Sequence, residues 1–365
     1  MGSTNGTTYV LGAGASRAQT ARLGIPMPLA TDFFREPYLT AHWHPFPDDE
    51  PFGRSALGNL LRQYFPFGNS RANINIEEVL SFLESWRSSH PSIEAARFVE
   101  KARRQLLTYV VDVILFVPWP YETSILGGLY RHIVKSLAPE DAIVTFNWDI
   151  LLERVLARTK IGRKLLQTQI ARFAPTHDGP FRFYTERDGQ LIKLHGSIDW
   201  VFCSDPQCPG NHVPMHVAGS GSAPAEQAEI LIFARCRECG GPVDIGILPP
   251  QSNKTYSRNR FFRRQASAAA QVLTHSRRLI VIGYSFPYFD LEARSLFRLM
   301  RLEPWEVGQG LTNLQNVTLV NPAVDDKGYV EMASELLGLR RNSSHGERPR
   351  LLLYSSVEEY LKAER

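Results

Sequence analysis

The four cysteines carry the spacing that speaks most directly of chemistry. Cys203 and Cys208 are separated by 4 residues, a linker of 27 follows, and Cys236 and Cys239 close a Cys-x2-Cys pair. Two close thiol pairs joined by such a linker suit one tetrahedral four-thiolate zinc site; free thiols are the alternative. His212 and His216 lie in the linker, but four cysteines already complete a shell. A closed shell leaves no position for a substrate, so the zinc is expected to be structural.

The remaining polar constellations each follow an apolar run. Tyr9 to Ser16 reads strand, then Gly12-Ala13-Gly14, then helix. Glycines there let the backbone approach a pyrophosphate while a helix N-terminus supplies N–H groups. The third glycine of the dinucleotide fingerprint is missing, so a tight structural turn reads equally well. Asn147 and Asp149 follow the run ending at Phe146, where ligands of open α/β sheets bind; alone, Asp149 reads as the cap of a helix beginning at Ile150. His195 follows Leu191–Leu194, placed for a base near neutral pH or for simple hydrogen-bonded packing. Gly283-Tyr284-Ser285 with Asp290, and Asn321-Pro322, follow two later runs and pass singly as turn chemistry.

These groups need a scaffold. Strand-like runs at Thr7–Leu11, Ala142–Phe146, Leu191–Leu194, Ile245–Leu248, Leu279–Ile282 and Val317–Val320 alternate with helical segments. That alternation predicts an α/β fold, a Rossmann-like parallel sheet with helices on both faces. Helical patterning dominates residues 29–137. In it Ile76, Val79, Leu80 and Leu83 mark one face of a helix with Asn75 as N-cap, and the aromatic- and proline-rich stretch Trp43–Phe67 reads as loops and a short helix. Residues 203–240 break the rhythm, and Ala218–Ala225 reads as a short loop.

The 365 residues, 43% hydrophobic, allow one large core or two linked ones, and the net charge of +4 is too small to argue for nucleic acid. The basic runs at Arg258, Arg260, Arg263, Arg264, Arg277 and Arg278 read as solvated helix faces rather than a phosphate track. There is no stretch of about 18 apolar residues for a membrane span. The polar N-terminus lacks a signal peptide and a myristoylation pattern, so a reducing cytoplasm is expected, with the cysteines as thiols or metal ligands.

Taken in order, these elements resemble the sirtuin family. Gly12–Ser16 with Gly24-Ile25-Pro26 matches its Gly-Ala-Gly-x-Ser loop and Gly-Ile-Pro. Asn147 and Asp149 match its Gln-Asn-x-Asp strand end, with Phe146 in place of glutamine. His195-Gly196, the two cysteine pairs, Gly283-x-Ser285 and Asn321 follow in the family's order. The resemblance implies NAD⁺ binding by Gly12, Ala13, Gly14, Ser16, Ile25, Gly283, Ser285 and Asn321, with Asp149 on the nicotinamide amide. It implies that Asn147 orients the nicotinamide ribose or a water and that His195 acts as general base.

The departures matter. Met27-Pro28-Leu29-Ala30 stands where protein-deacylating members carry Asp-Phe-Arg, and Ile245–Pro250 stands where they carry a Phe-Gly-Glu segment that pairs with the acylated peptide. Two prolines lack the N–H donors that such pairing uses. The helical stretch with Asn75–Leu80 is similar to the bacterial anti-phage defence branch, NAD⁺ hydrolases that work with a HerA-type ATPase or an Argonaute-like partner. The expected organisation is therefore an NAD-binding domain at 1–28 and 139–365, a helical insertion at 29–138 serving assembly or partner docking or else only covering the sheet and closing the pocket, and an inserted zinc module at 200–244. The expected activity is NAD⁺ glycohydrolase; the alternatives are an NAD-dependent protein-lysine deacylase and a non-catalytic NAD or ADP-ribose sensor. A homo-oligomer is expected; direct nucleic-acid binding is not.

Overall fold

The strands are β1 (Thr7–Leu11), β2 (Ala142–Thr145), β3 (Gln190–Lys193), β4 (Gly196–Cys203), β5 (Met215–His216), β6 (Val243–Ile247), β7 (Arg278–Ile282), β8 (Asn316–Val320) and β9 (Arg350–Tyr354). Six of them form one sheet in the order β3-β2-β1-β7-β8-β9, every neighbouring pair parallel. The computed structural model describes residues 6–35, 37–39, 55–65, 74–89, 92–117, 127–171, 190–212, 214–216, 234–248, 259–299, 314–339 and 349–364. Pro249, Pro250, Arg258, the loop at 218–225 and residues 43–54 and 66–67 thus lie outside the described residues.

Strand alternation divides the core in two. Tyr9, Leu11, Ile143, Leu191, Ile280 and Ile282 face one apolar cluster, while Val10, Val144, Ile192, Leu279, Val281 and Val317 face the other. A parallel strand buried on both sides is apolar at most positions, so these runs show no regular polar alternation; Thr8, Thr145, Lys193 and Thr318 are the buried polar exceptions. The first face is covered by α2 (Ala56–Tyr64), α3 (Ile76–Ser89), α4 (Ile93–Phe116) and α5 (Gly128–Ser136), with α6 (Leu151–Leu156) and α7 (Lys160–Ala171). On the second lie α8 (Arg260–His275), α9 (Leu291–Leu299) and α10 (Lys327–Leu336). Helix α1 (Ala13–Thr20) follows β1 directly, and α11 (Val357–Ala363) ends the fold. The Rossmann-like sheet with helices on both faces is therefore as expected.

Helix α3 begins where its apolar spacing predicts, and Glu77 N–H donates to Asn75 Oδ1 at 2.9 Å. Helix α4 repeats the pattern with Val99, Ala102, Leu106, Val110 and Val113 buried, and Ser92 accepts at its N-terminus from Ala95 N–H. The run Ile245–Leu248 is a correction: it does not extend the parallel sheet. It falls largely in β6, which pairs antiparallel with β4 in a separate three-stranded sheet, β5-β4-β6. Among the described residues no helix is long and apolar enough to cross a membrane.

Candidate active site

The register puts the chemistry in one row. Leu11, Thr145, Lys193, Ile282 and Val320 are laterally paired last residues of their strands, so everything that follows them emerges at one edge. The chain lays β2 and β3 to one side of β1 and β7 to β9 on the other, so its direction of winding reverses at β1 and β7. A parallel sheet opens a crevice at that switch point. A cavity of about 740 Å³ occupies it. Ala13, Gly14 and Ser16 enter from the β1–α1 turn, Asn147 and Asp149 from the end of β2, and His195 from the end of β3. Gly283, Ser285 and Asn321 enter from the far side. Gly12 and Ile25 are not among its lining residues.

The glycines of the first turn have a structural task beside any ligand. A Cβ on Gly12 would lie 2.5 Å from Gly283 O, and one on Gly14 would lie 2.7 Å from Gly283 Cα. Gly283 itself has φ +64, and its Cβ would meet Ala15 N at 2.2 Å. Gly14 N–H donates to Gly283 O and Gly12 N–H to Ile282 O, both at 3.0 Å. The two turns therefore pack backbone to backbone, and this contact brings the start of α1 to the cavity. At the other strand end Gly196 (φ +79) turns the chain out of the parallel sheet into β4, immediately after His195.

Beneath the cavity lies a buried polar network. Ser16 Oγ donates to Asp149 Oδ2 at 2.6 Å and accepts from Asn147 Nδ2 at 2.9 Å. Tyr130, from α5, lies 2.7 Å from Ser16 Oγ. Burial, then the nearby Asp149 carboxylate, raise the Tyr130 phenol well above its ordinary range, so it stays protonated and donates. Asp149 Oδ1 accepts from Leu151 N–H at 3.0 Å, so the residue is both the helix cap and a member of the site, one oxygen for each task. Asn147 Oδ1 is a buried acceptor with no hydrogen-bond partner among the described residues. An unpaired buried acceptor costs about 1–3 kcal/mol, which a substrate hydroxyl or water reaching it would recover. Below, Lys193 is 1% exposed, and its Nζ donates to Asp149 O and to Glu153 Oε1, each at 2.6 Å. Burial raises the Glu153 carboxyl above its usual range and Lys193 opposes that rise.

On the opposite wall, His195 Nε2 lies 3.0 Å from Oδ2 of the fully buried Asp290. This is an ion-pair distance, although the contact does not meet hydrogen-bond geometry. Phe146 meets the His195 ring edge-on at 5.0 Å and stacks on Tyr284 at 4.0 Å. Asn321 Oδ1 accepts from Ala323 N–H at 2.9 Å, so that residue caps the following turn as well as lining the cavity. Ser285 is exposed at the rim.

The helical region contributes directly to this cavity through Asn75, Glu77 and Ile114. Tyr130, Lys193 and the Asn75–Glu77 wall had not been singled out as site residues. Lys193 stood beside His195 in the sequence, and a lysine in an apolar strand is a readable anomaly. Tyr130 offered no local cue, since Ser16, which it meets at 2.7 Å, lies 114 positions away.

The four cysteines converge as their spacing predicts. All four Sγ atoms lie within 4.8 Å of one another, with Cys203···Cys239 at 3.5 Å and Cys208···Cys236 at 3.7 Å. Ligands at about 2.3 Å around a tetrahedral zinc would stand roughly 3.8 Å apart, and a disulfide would hold sulfurs at about 2.05 Å. The separations fit the ion and exclude disulfides. Desolvation pushes the Cys203 thiol up to about 12. At Cys236 desolvation also raises the thiol, but the backbone N–H groups of Cys239 and Glu238 and the Cys203 and Cys208 thiols together bring it down to about 7. Cys203, Cys208 and Cys236 are buried and Cys239 is exposed, so the set is a closed side pocket of the small sheet rather than part of the main cavity.

No protein-family model matches the chain, and no curated protein matches it. Among solved structures it is similar to one described as "The Structural basis for Sirtuin Substrate affinity", with 14% identity, a TM-score of 0.33, and coverage of 98% of this chain and 91% of that chain. At that score the overlap carries no argument, and the fold rests on the sheet and the helices that cover it.

Proposed function

We propose that this chain hydrolyses NAD⁺ at its nicotinamide–ribose bond. The observation that carries the reading is the meeting of Gly14, Ser16, Asn147, Asp149 and His195 in one cavity at the β1/β7 switch point. In the reaction the C1′–N bond breaks and its electron pair passes to the pyridine nitrogen, so nicotinamide leaves neutral. Water adds to C1′ and gives up a proton, which His195 accepts and releases to solvent. The products are ADP-ribose, nicotinamide and a proton. Because the leaving group starts as a cation, no strong general acid is needed, and positioning carries most of the acceleration. Asn147 and Asp149 hold the nicotinamide end, Ser16 ties them together, and Ser285 and Asn321 take the adenosine half.

Zinc fits the four cysteines and would brace the β4–β6 sheet. The same cysteine set favours a second reading, an NAD-dependent deacylase, since the deacylating members of the resembled family carry it. Against that reading, Leu248 N–H donates to His195 O at 2.9 Å, so an amide of the Ile245–Leu248 segment is used within the chain. The finer role, depletion of NAD⁺ in the cytoplasm during anti-phage defence by a homo-oligomer with a HerA-type ATPase or Argonaute-like partner, rests on the sequence resemblance of the Asn75–Leu80 stretch. Incubation with NAD⁺, with and without an acetyl-lysine peptide, tests the activity. Hydrolysis predicts nicotinamide release indifferent to the peptide, whereas release in proportion to peptide, with O-acetyl-ADP-ribose, would overturn it.

A further inference from the structure

We propose that Asp290 is the positioning residue for His195: it holds the Nε2 proton and leaves Nδ1 as the nitrogen that accepts a proton in the reaction. This rests on the hydrolase reading for its kinetic part alone. Asp290 has no exposure to solvent, and its side chain is surrounded by donors. Ala293 N–H approaches Oδ1 at 3.4 Å, while Tyr284 OH donates to Oδ2 at 3.2 Å, the same oxygen that His195 Nε2 meets at 3.0 Å. An ionised carboxylate only accepts, so the ring nitrogen facing it must carry a hydrogen. A neutral imidazole has one such hydrogen, and its other nitrogen is then the base.

The frame around this pair is stiff. Phe286, between Tyr284 and Asp290, has φ +52, a left-handed conformation that a bulky residue keeps only when its surroundings impose it. Those surroundings are present: the Phe286 side chain is 1% exposed, Arg294 Nη1 donates to Phe286 O at 2.9 Å, and Tyr329 OH donates to Tyr284 O at 3.0 Å. The loop is thereby fixed where its carboxylate reaches His195. Phe146, stacked on Tyr284 and edge-on to His195, fills the remaining side of the ring. Imperfect alignment of the Nε2 contact without substrate does not count against the pairing, since catalytic hydrogen bonds are often poorly aligned until the complex forms. Loss of a carboxylate that fixes a catalytic histidine's tautomer costs on the order of 10⁴-fold in a serine protease.

Two readouts test this. Nitrogen-15 NMR of histidine-labelled wild-type protein, with His195→Gln to assign the ring, should show a protonated, pyrrole-type Nε2 and a pyridine-type Nδ1. The opposite pattern would overturn the proposal, whatever the activity. In kinetics, Asp290→Asn should lower kcat for nicotinamide release on the order of 10²–10⁴-fold. KM for NAD⁺ should stay within about threefold, since uniform binding is untouched, and Asp290→Glu should recover part of the rate. A kcat within about threefold of wild type, or a loss explained by a smaller folded fraction, would overturn it. Should Asp290→Asn fail to fold, Tyr284→Phe removes one donor from the same carboxylate and is expected to lower kcat in the same direction. A wild-type protein that releases no nicotinamide sinks the hydrolase reading, while the NMR pattern still decides the His195–Asp290 pairing.

Discussion

Replacing Lys193 with methionine probes the floor of the site. The ammonium is 1% exposed and pairs with Glu153, whose side chain is 16% exposed. Methionine keeps the apolar stem but leaves the carboxylate without its cation and Asp149 O without its donor. The carboxylate then stays charged and unpaired or takes a proton. Protonating a group with an ordinary pKa of about 4.3 at pH 7 costs about 3.7 kcal/mol, at about 1.36 kcal/mol per unit, and that bounds the charge penalty. With the lost hydrogen bond to Asp149 O, the expected destabilisation is about 3–5 kcal/mol at pH 7. The sign with pH follows from the raised carboxyl of Glu153. The folded state holds that proton more tightly than the unfolded chain, so the penalty is absent below the unfolded pKa and grows as pH rises toward the folded one. Without Lys193 the folded value rises further, so the deficit should shrink by about 2–3 kcal/mol between pH 7 and pH 5. Urea unfolding of wild type, Lys193→Met, Glu153→Gln and the double variant at both pH values reads this directly, and Glu153→Gln should rescue most of the loss. A deficit below about 1 kcal/mol at pH 7, or one equal at both pH values, would refute the reasoning.

Three further outcomes follow from the same contacts. Metal analysis should find one zinc per chain, lost in Cys236→Ser together with protection of the β4–β6 sheet from proteolysis; a metal-free protein with that sheet intact contradicts the site. Gly283→Ala forces a Cβ to within 2.2 Å of Ala15 N at φ +64, and it should destabilise by about 2–5 kcal/mol in denaturant unfolding. Tyr130→Phe removes one buried donor from Ser16 and should cost about 0.5–1.5 kcal/mol in stability, with a larger proportional loss in nicotinamide release than in NAD⁺ affinity.

Where the sequence was readable, one physical constraint dominated. Thr7–Leu11, Arg278–Ile282 and Asn316–Val320 are buried after their first residue, and largely apolar runs ending at Gly12, Gly283 and Asn321 mark them out. Asn75 showed itself through the spacing of the helix it caps. Strand β6 did not, because a short apolar run carries no information about its partner, and Ile245–Leu248 was equally consistent with the large sheet. Strand β9 carries the short apolar run Leu351–Leu353, yet at the sheet edge it is half-buried or exposed throughout, so burial there does not follow from the run. Asp149 shows why single-residue readings stay ambiguous, since one of its oxygens accepts from Leu151 N–H at the helix start while the other accepts from Ser16 in the network beneath the cavity. Tyr130 and the His195–Asp290 contact join positions far apart in the chain, and only the folded sheet brings them together.

The central claim is that NAD⁺ itself is consumed at the Asn147–His195 cavity. It is tested most directly by following nicotinamide and ADP-ribose during incubation of NAD⁺ with wild-type protein and with Asn147→Ala, under conditions where cells expressing the chain lose NAD⁺. The account predicts one nicotinamide per ADP-ribose from the wild type without any acylated protein, and no conversion by a folded Asn147→Ala. Equal conversion by the two proteins, or wild-type conversion that requires an acyl-lysine substrate, would contradict it.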